Sequence, residues 1–538
     1  MDINTIVKRF PHLKSNRALW ESHWQEIFER CLPTKAAITT SRLPGTKLPT
    51  TIYDSTAIYS TQVLAAGLHS YMTNPTSRWY ALEMVTRELM EVIEIKRWLS
   101  DCEDIVFSYL NGSNFNQAIH ESYIGYSAIG NCCLYEDEDL KNAIKFHARP
   151  MGEIFILANA RGDIDTVYRS FTFTVRQAKQ EWGNDCGEKV NKLYEAGKVE
   201  ERVPFLHVVL PREDRDIRKA DARNMPYGSI YIEPEKKKVL SEGGYEEFPF
   251  FTPRFYKIAD SEYAYGPGSL ALADIKTLNS MSKTILAGGE KKVKPPIILP
   301  HDGYLLPFKT GAGAVNLKLS GNADDKVEIL DTKGDIGIGL EMEDRRRSQI
   351  KWAFFVELFL MLANIPDKQR TATEIAARVN EMMLILGPVL GRLMHELLDP
   401  IIVRTFAILM RLGKLPPPPD VIEEGEEYKI KYISPLAKAQ KAAKSQAIGN
   451  LIAATREMMD MREDVVDNLN LDEAVKELAE ITNVTGKILR SDDEEAEIRE
   501  ARRQQEELNR SLAQLKLGAE GAGAVAKAEQ TLRGGVKK

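Results

Sequence analysis

The chain has 538 residues, which at roughly 100–200 residues per domain predicts about three or four folded units. Hydrophobic residues make up 43% and charged residues 28%, a composition that excludes a largely disordered protein. The formal net charge is −6, and proteins that neutralise DNA phosphates are usually basic, so the charge disfavours tight non-specific DNA binding but permits loose contact.

The cysteine pattern predicts reduced thiols in a cytosolic setting, because the count is odd and no C-x-x-C pair occurs. The cysteines are Cys31, Cys102, Cys132, Cys133 and Cys186. The N-terminus has no apolar run typical of a signal peptide. The most apolar segment, 352–365, has 14 residues and contains Glu357. A membrane span needs about 20 apolar residues, so we expect a buried helix there instead.

The first predicted element is a helix over 4–30, which carries Trp20, Trp24 and Ile27 on one face and ends before Pro33.

The stretch YDSTAIYSTQVLAAGLHSYMTNPTSRWYAL (53–82) predicts a second helix with a defined start and stop. Asp54 or Ser55 is placed to cap its first turn, and Asn74-Pro75 ends it. A small-residue flank, where another backbone is able to approach closely, lies between these ends: Ala65, Ala66, Gly67 and Ser70. Residues 79–84 then alternate like a strand.

Residues 86–128 are predicted to be helical, and 132–258 to form an α+β region. Its strands include NCCLYE, AIKFHA, EIFILAN and IDTVYRSFTFT, with NARG (159–162) as a hairpin turn between the last two. A helix near 175–197 and further short strands complete the region.

A long helix is predicted after the break at Gly266-Pro267-Gly268. Its apolar positions are Leu270, Ala273, Ile275, Leu278, Met281 and Ile285. Residues 293–335 are irregular, with short strands at PPIILP and KVEILD. A second long helix is predicted over 336–363, and if it is unbroken it spans about 40 Å at 1.5 Å per residue.

Residues 364–372 interrupt the helical pattern, and a third helix is predicted over 373–412 with a kink at Gly387-Pro388. LPPPPD (415–420) predicts a rigid linker and YKIKYIS a strand. The chain from Pro435 onward is predicted to be helical and charged, with a Gly/Ala-rich tail that frays.

No pattern in the sequence predicts catalysis. A phosphate-binding loop needs G-x-x-x-x-G-K-[ST], and the nearest match, Gly486-Lys487, lacks the preceding glycine and the hydroxyl residue. The eight histidines are scattered, and we interpret His147 and His395 as structural. The glycines of 311–316 suit a loop, and the acidic run 491–497 suits a helix start. We therefore expect no enzymatic activity, cofactor or metal.

The helix over 336–363 is charged in its first half and apolar in its second. This polarity suits a helix that forms one element of a ring-shaped oligomer and packs its apolar half against neighbouring subunits. The alternative is an ordinary helical hairpin inside one subunit.

Several segments resemble the head-to-tail connector family, the portal proteins of short-tailed bacteriophages. The specific ones are 53–82 and YAYGPGSLALADIKTLNSMSK (263–283), and the others are YISPLAKAQKA (432–442), FTFTVRQAKQEWG (171–183) and the N-terminal set of Arg17, Trp20, Trp24 and LPTK. Beyond residue 450 the similarity is only compositional.

The resemblance implies an α+β, predominantly helical portal fold with wing, stem, clip and crown, assembled as a ring. The implied divisions are the wing (1–265), first stem helix (266–292), clip (293–335), second stem helix (336–363), tunnel loop (364–372), kinked wing helix and strand (373–434), helical crown (435–517) and flexible tail (518–538).

The implied function is that of a ring of about twelve subunits at one capsid vertex, through which double-stranded DNA passes during packaging and ejection. The implied partners are a separate ATP-driven terminase, a tail adaptor, and the capsid and scaffolding proteins, with no membrane. The implied location is the virion, after assembly in the host cytoplasm.

A packaging channel must let DNA slide, and a lysine-lined bore would hold it by counterion release, so we expect an acidic bore with a few basic rings. The candidate DNA-facing residues are Lys368 and Arg370 in the tunnel loop, and Arg345, Arg346, Arg347 and Lys351 on the second stem helix. Successive helical residues differ by about 100°, so the three arginines cannot share one direction. At least one is expected to pair with Glu341, Glu343 or a neighbouring subunit.

Three lysines at the end of the first stem helix are placed either to satisfy terminal carbonyls or to contact DNA near the clip: Lys291, Lys292 and Lys294.

Three other functions are compatible with parts of the sequence. The main alternative is a non-portal oligomeric structural or adaptor protein of the virion, which would lack the helix–insert–helix order at 266–363 and a DNA channel. A nucleotide-dependent motor subunit would bind ATP, and a membrane channel would need detergent.

Overall fold

The computed structural model describes residues 3–40, 45–86, 88–139, 141–216, 218–219, 221–259, 261–298, 307, 328–329, 336–363, 385–419, 428–432, 448–455, 470, 474–475, 478, 495–507 and 509. The chain divides into two compact units. The first comprises Met1–Tyr80, Asp104–Leu415 and Tyr432–Ala437, and the second comprises Ala81–Glu103, Pro416–Lys431 and Lys438–Lys538.

The α-helices are α1 (Ile3–Cys31), α2 (Thr56–Met72), α3 (Ile93–Gly112), α4 (Phe115–Ile129), α5 (Val175–Trp182), α6 (Glu188–Glu195), α7 (Pro267–Val293), α8 (Ile336–Ala353), α9 (Val356–Ala363) and α10 (Asp399–Arg411). Residues 385–393, 448–455 and 495–507 are also helical. A π-helical turn lies at Met394–Leu398, and 3₁₀ turns lie at Pro33–Lys35, Glu88–Glu91, Met151–Glu153 and Gly183–Asp185.

The strands are β1 (Tyr80–Met84), β2 (Cys133–Asp139), β3 (Ala143–Arg149), β4 (Ile154–Ala158), β5 (Ile164–Thr174), β6 (Arg202–Pro211), β7 (Tyr227–Glu233), β8 (Lys238–Tyr245), β9 (Phe250–Phe251), β10 (Tyr256–Lys257), β11 (Ala264–Tyr265), β12 (Ile297–Ile298), β13 (Glu328–Ile329) and β14 (Tyr428–Tyr432). They form sheets of order β4-β5-β6-β7-β8, β3-β2-β9, β10-β11, β12-β13 and β1-β14. The predicted α+β class with predominant helix is confirmed for the described residues.

The five-stranded sheet is an antiparallel meander with helices on both faces. Strand residues alternate between the faces, so even and odd positions of β5 and β6 belong to different cores. Tyr168 and Leu206 join the cluster that contains Ile6 of α1, with Phe10 of the same helix packed against it. The odd positions, such as Phe205, join the residues of α5 and α6.

The second unit contains most of the β1–β14 pair and the first half of α3. Lys431 of β14 pairs with Glu83 of β1 at 2.6 Å. The buried carboxylate of Glu103 accepts from the amide of Leu82 at 2.6 Å. The second unit therefore has polar contacts of its own that hold its strand pair.

The predicted starts and stops of the first two helices are confirmed. Helix α1 ends at Cys31, two residues before Pro33. Ser55 occupies the N-cap position of α2, while the side chain of Asp54 accepts from the amide of Thr56 at 2.8 Å. Helix α2 ends at Met72, as the Asn-Pro pair after it predicts.

The region 86–128 is not one helix but a 3₁₀ turn and two helices. Helix α3 ends at Gly112, and Ser113 and Asn114 form the short connection to α4. The predicted helix near 175–197 is likewise split, since Gly183 and Gly187 have positive φ between α5 and α6. Glycine adopts this backbone conformation without strain, so it ends a helix at a point where the apolar pattern alone predicts that the helix continues.

The predicted helix over 336–363 is interrupted between α8 and α9. Phe355 has a φ of +57°, a left-handed conformation that a bulky residue rarely adopts. The sequence around it is mostly apolar and contains no glycine or proline, so it carries no signal for this break.

The third helix stays helical across Gly387-Pro388, where a kink is predicted, and has its irregularity at Met394–Leu398. Pro400 follows this π-helical turn and lacks the N–H that an α-helix needs. Glu396 of the turn accepts from Nη2 of buried Arg254 at 2.6 Å, which fixes the turn to the body.

Most of 293–335, the tunnel loop at 364–372, residues 373–384, most of 435–517 and the tail 518–538 lie outside the described residues. The two short strands predicted within 293–335 are confirmed as the antiparallel pair β12–β13.

Candidate functional site

Helices α7 and α8 form an antiparallel hairpin. Three contacts join them from one end to the other: Asp274–Arg346, Ser282–Glu343 and Ile285–Gly339. The donor–acceptor distances of the first two are 2.5 Å and 2.6 Å. Residue numbers rise along α7 while the partners' numbers fall along α8, so the two helices run in opposite directions.

The start of α7 is fixed by a close approach of two glycines. Gly130 ends α4 with a φ of +76°, and a side chain on it or on Gly266 would overlap the other's backbone. The side chain of Asn131 bonds both the N–H and the carbonyl of Ala264, with distances of 3.0 Å and 2.6 Å. The Gly-Pro-Gly break therefore serves as the contact that sets where the helix begins.

The middle of α7 is held by α1 and by the segment before α2. Lys276 pairs with Glu26 of α1 at 2.7 Å, and this hydrogen bond lowers the pKa of Glu26. The side-chain amide of Asn279 accepts from the N–H of Tyr53 at 2.7 Å and donates to the carbonyl of Thr51 at 3.0 Å.

Helix α8 is held by a buried carboxylate and an arginine. Glu343 is 3% exposed and accepts from the hydroxyl of Ser282 and from Nη2 of Arg347 at 3.0 Å. Nε of Arg347 also donates to Asp54 at 2.9 Å. Burial alone would raise the pKa of Asp54, but hydrogen bonds from Thr56 and Arg347 hold it below its ordinary value.

The other two arginines of α8 also lie next to carboxylates. Arg345 and Glu341 pair at 2.6 Å, with 75% and 66% of their side chains exposed. Arg346 pairs with Asp274, and Lys351 is half-buried. The expectation that at least one arginine pairs with an acidic neighbour on the helix is confirmed. The side chains of Arg345, Arg346 and Arg347 pair with three different carboxylates and do not point in one common direction.

The basic residues at the end of α7 are exposed: Lys291, Lys292 and Lys294. The N–H of Lys294 donates to the carbonyl of Glu290 at 2.7 Å, so the backbone satisfies this terminal carbonyl. Lys368 and Arg370 lie outside the described residues.

The apolar end of the predicted second stem helix packs against its own chain. Phe354 and Val356 are fully buried, and the ring of Phe359 occupies the space above Gly67 where a side chain would stand. Phe359 also contacts Tyr71, with ring centroids 5.8 Å apart. The small-residue flank of α2 was predicted to admit another backbone, but at Gly67 it admits the aromatic side chain of Phe359.

The hairpin exposes several large apolar side chains whose outward position the sequence pattern does not predict. Large apolar residues with 47–80% of their area open are Leu270, Leu286, Val293, Ile338, Leu340, Met342 and Trp352. Leu270 was predicted as one of the apolar positions of α7, but it faces outward. These side chains are spread over both helices of the hairpin.

Arg17, one of the residues that carry the family resemblance, is 2% exposed and holds α1 to the sheet edge. Its guanidinium donates to the carbonyls of Met151, Gly152 and Ile154. It lies over the ring of Phe155, 3.5 Å from the centroid. These contacts join α1 to the 3₁₀ turn Met151–Glu153 and to the first residue of β4, so Arg17 is a structural anchor.

The described residues contain no group of three or more His, Cys, Asp or Glu side chains that could hold a metal ion. All five cysteines are free and buried, and burial raises the pKa of Cys31, Cys102 and Cys133 to about 12. Burial lowers the pKa of His147 to about 4, while His395 is 79% exposed.

No helix in the described part of the chain is both long enough and apolar enough to cross a membrane.

The sequence matches a family model described as "Bacteriophage head to tail connecting protein" over residues 4–489. A probable portal protein of Bordetella phage BPP-1 is 30% identical over 539 residues, covering 96% of this chain and 94% of that protein. The portal protein of Salmonella phage epsilon15 is 30% identical over 524 residues, with the same coverage. A chain from the virion of a native gene transfer agent particle covers 80% of this chain at 12% identity and a TM-score of 0.34, a similarity too low to support an inference. The chain therefore belongs to the bacteriophage head-to-tail connecting protein family, the portal proteins of short-tailed phages.

Proposed function

We propose that the chain forms a ring of about twelve copies at one capsid vertex, and that DNA passes through the ring during packaging and ejection. The observation that carries this proposal is the family match over residues 4–489, together with two portal relatives that align with 96% of the chain. The large apolar side chains that the α7–α8 hairpin exposes are compatible with an assembly of copies.

The proposed divisions follow the resemblance. Helix α7 is the first stem helix, and α8 with α9 is the second. Residues 293–335 are the clip, which we assign to terminase during packaging and to the tail adaptor afterwards. The wing (1–265 and 373–434) and the crown (435–517) are the parts that would meet the capsid and scaffolding proteins. The protein then works in the virion after assembly in the host cytoplasm.

We assign DNA contact to two groups of basic side chains: those on the hairpin for which the described part of the chain shows no ion pair with a carboxylate, and those that the family resemblance places in the tunnel loop. The candidates are Lys351, Lys291, Lys292 and Lys294 on the hairpin, and Lys368 and Arg370 in the tunnel loop. Arg346 and Arg347 were also candidates, but their pairs with Asp274 and Asp54 give them a structural role. A few exposed lysines on a chain of net charge −6 suit weak contacts, which let the DNA slide.

The test is a packaging reaction with procapsids that carry or lack this protein. Procapsids with it, supplied with terminase and ATP, are expected to protect DNA from nuclease. Procapsids without it should protect none. The main alternative, an oligomeric structural or adaptor protein without a channel, predicts rings or other assemblies on the virion but no dependence of DNA uptake on this chain.

A further inference from the structure

Two arginines and two histidines form a basic cluster around the ring of Tyr135: Arg149, Arg169, His147 and His207. His147 lies opposite Tyr135 in the β2–β3 pair, and Arg169 lies opposite His207 in the β5–β6 pair. The guanidinium carbon of Arg149 is 5.4 Å from the centroid of the Tyr135 ring. The ring centroids of His147 and His207 are 6.1 Å and 6.4 Å from it. Two different sheets therefore bring their basic side chains to one place.

The two arginines of the basic cluster differ in their partners. Nε of Arg169 donates to Glu153 at 3.0 Å, and its guanidinium lies 4.1 Å from the centroid of the Phe171 ring. Arg149 makes no hydrogen bond and no ion pair with any residue that the structure describes, and its Nε is buried. A buried donor without an acceptor is costly, and native proteins contain few of them. The Arg149 guanidinium therefore lacks an acceptor among these residues.

The carboxylates that act on Arg149 already bond other groups. Glu153 pairs with Arg169, and Asp137 accepts from the hydroxyl of Tyr135 at 3.2 Å. Burial and the charge of Arg169 lower the pKa of Arg149, although Glu153 opposes this change. Like charges repel most strongly where water is partly excluded. An anion that contacts both guanidinium groups would relieve this repulsion and supply the missing acceptor.

We propose that the basic cluster is a binding site for a small phosphate-class oxyanion, held between the guanidinium groups of Arg149 and Arg169. A guanidinium presents a planar fork of N–H groups that matches the oxygens of a phosphate. Burial and the neighbouring positive charges lower the pKa of His147 to about 4, so its ring is neutral at pH 7. A neutral imidazole still donates one N–H, and it does so without adding a third positive charge.

The arrangement of the donors favours a phosphate over a carboxylate. Arg149 and Arg169 come from two sheets, and the oxygens of a phosphate point in several directions, whereas those of a carboxylate lie in one plane. The depth of the cluster favours a small anion over a DNA backbone. Arg149 is half-buried and the side chain of Arg169 is only 9% exposed, so a duplex would reach Arg149 at most. None of these residues belongs to the α7–α8 hairpin, so the proposal does not depend on the proposed ring.

The test is isothermal titration calorimetry of the full chain with inorganic phosphate, in a chloride buffer of constant ionic strength. We expect saturable binding, and Arg149→Gln should weaken it by about tenfold or more, because a charge-assisted bidentate contact is lost. Arg161→Gln, in the exposed turn between β4 and β5, is the matched control and should leave the affinity unchanged. Absence of saturable binding, or equal affinity in wild type and Arg149→Gln, would overturn the site.

Thermal unfolding gives a second readout that a purely structural arginine would not produce. Without phosphate, Arg149→Gln should unfold at the temperature of the wild type or above it, because the repulsion by Arg169 is removed. With phosphate, the unfolding temperature of the wild type should rise and that of the variant should not. A destabilised variant, together with a wild type that phosphate leaves unchanged, would overturn the proposal in favour of a structural role for Arg149.

Two further measurements keep the proposal testable if Arg149→Gln does not fold. Arg149→Lys keeps the positive charge but loses the fork, and it should bind phosphate several-fold more weakly than the wild type. Acetate and a short DNA duplex are then compared with phosphate on the wild-type chain at equal ionic strength. Binding of acetate without binding of phosphate would overturn the phosphate assignment in favour of a carboxylate. Displacement of phosphate by the duplex would overturn the small-anion assignment in favour of the DNA backbone.

Discussion

Nε of Arg347 donates to the carboxylate of Asp54 across 2.9 Å, although 293 residues separate them in the chain. Asp54 also bonds the first turn of α2, and Arg347 also bonds the buried Glu343. The pair therefore joins two helices at their polar contacts and positions α8 on the body of the protein.

Replacement of Asp54 by Asn tests this link. We expect Asp54→Asn to lower the free energy of unfolding by about 1–2 kcal/mol at pH 7, because Arg347 loses a charged acceptor. The pKa of Asp54 is below 3.8 in the folded state, so its contribution is present above pH 3.8 and is lost as the pH falls through the folded value. Denaturant unfolding should give converging stabilities for variant and wild type at acid pH. An equal difference at pH 7 and below the folded pKa would contradict the ion-pair explanation.

Arg17 should tolerate no substitution, including lysine. A lysine has one ammonium group in place of the guanidinium fork that reaches the carbonyls of Met151 and Gly152. We expect Arg17→Lys to lower the free energy of unfolding by about 2–4 kcal/mol, measured by chemical denaturation. Lys14→Ala on an exposed position of the same helix is the control and should change stability by less than about 0.5 kcal/mol. Equal effects of the two substitutions would refute the anchoring role.

The contact between Gly67 and Phe359 predicts a coupled pair of mutations. A methyl group in Gly67→Ala overlaps the aromatic ring, so we expect a loss of about 1–3 kcal/mol. In the background of Phe359→Leu, the same change should cost less, because the smaller side chain vacates part of the space. A double-mutant cycle by thermal unfolding measures the coupling. Additive effects of the two mutations would show that the aromatic ring of Phe359 moves away from residue 67 without strain.

Glu136 is a buried carboxyl group whose pH dependence can be predicted. Burial raises its pKa to about 8, Arg404 and the hydroxyl of Thr405 oppose the rise, and Glu247 and Glu138 add to it. Oε1 of Glu136 accepts from Thr405 at 2.7 Å. The folded state therefore holds a proton that the unfolded state releases near pH 4.5, and stability falls as the pH rises from there through 8.

Glu136→Gln should remove this dependence, because an amide keeps the acceptor for Thr405 but does not ionise. We expect the variant to gain about 1–3 kcal/mol over wild type between pH 6 and pH 9. Thermal unfolding across this range is the measurement. Arg411 pairs with Glu247 and Glu138 next to this site, so Arg411→Gln tests whether the slope comes from the surface pairs instead. A slope unchanged in Glu136→Gln and abolished in Arg411→Gln would contradict the assignment.

Proline and turn residues in the sequence predicted correctly where several helices and strands end. The proline after α1 and the Asn-Pro after α2 mark real helix ends, and the turn at 159–162 joins β4 to β5. These residues restrict the backbone only within a few positions of themselves, so their effect can be predicted from the local sequence alone.

What the sequence could not supply is which partner a side chain meets far along the chain. Arg347 was assigned to DNA because its charge is visible, but its acceptor lies 293 residues away. The apolar half of 336–363 was predicted to be buried, either against neighbouring subunits or inside its own chain. Phe354 and Phe359 are buried in their own chain, whereas Trp352 is exposed. Periodicity shows that a helix has faces, and only the fold shows which face is covered.

The central claim is the ring, and its most direct measurement is native mass spectrometry of the purified full chain together with electron-microscope class averages of the same sample. We expect a closed ring near twelve copies, with a mass of about 727 kDa for twelve chains of 60.6 kDa, and an open centre. A stable monomer or dimer at micromolar concentration and moderate salt, with no rings in the images, would contradict the claim.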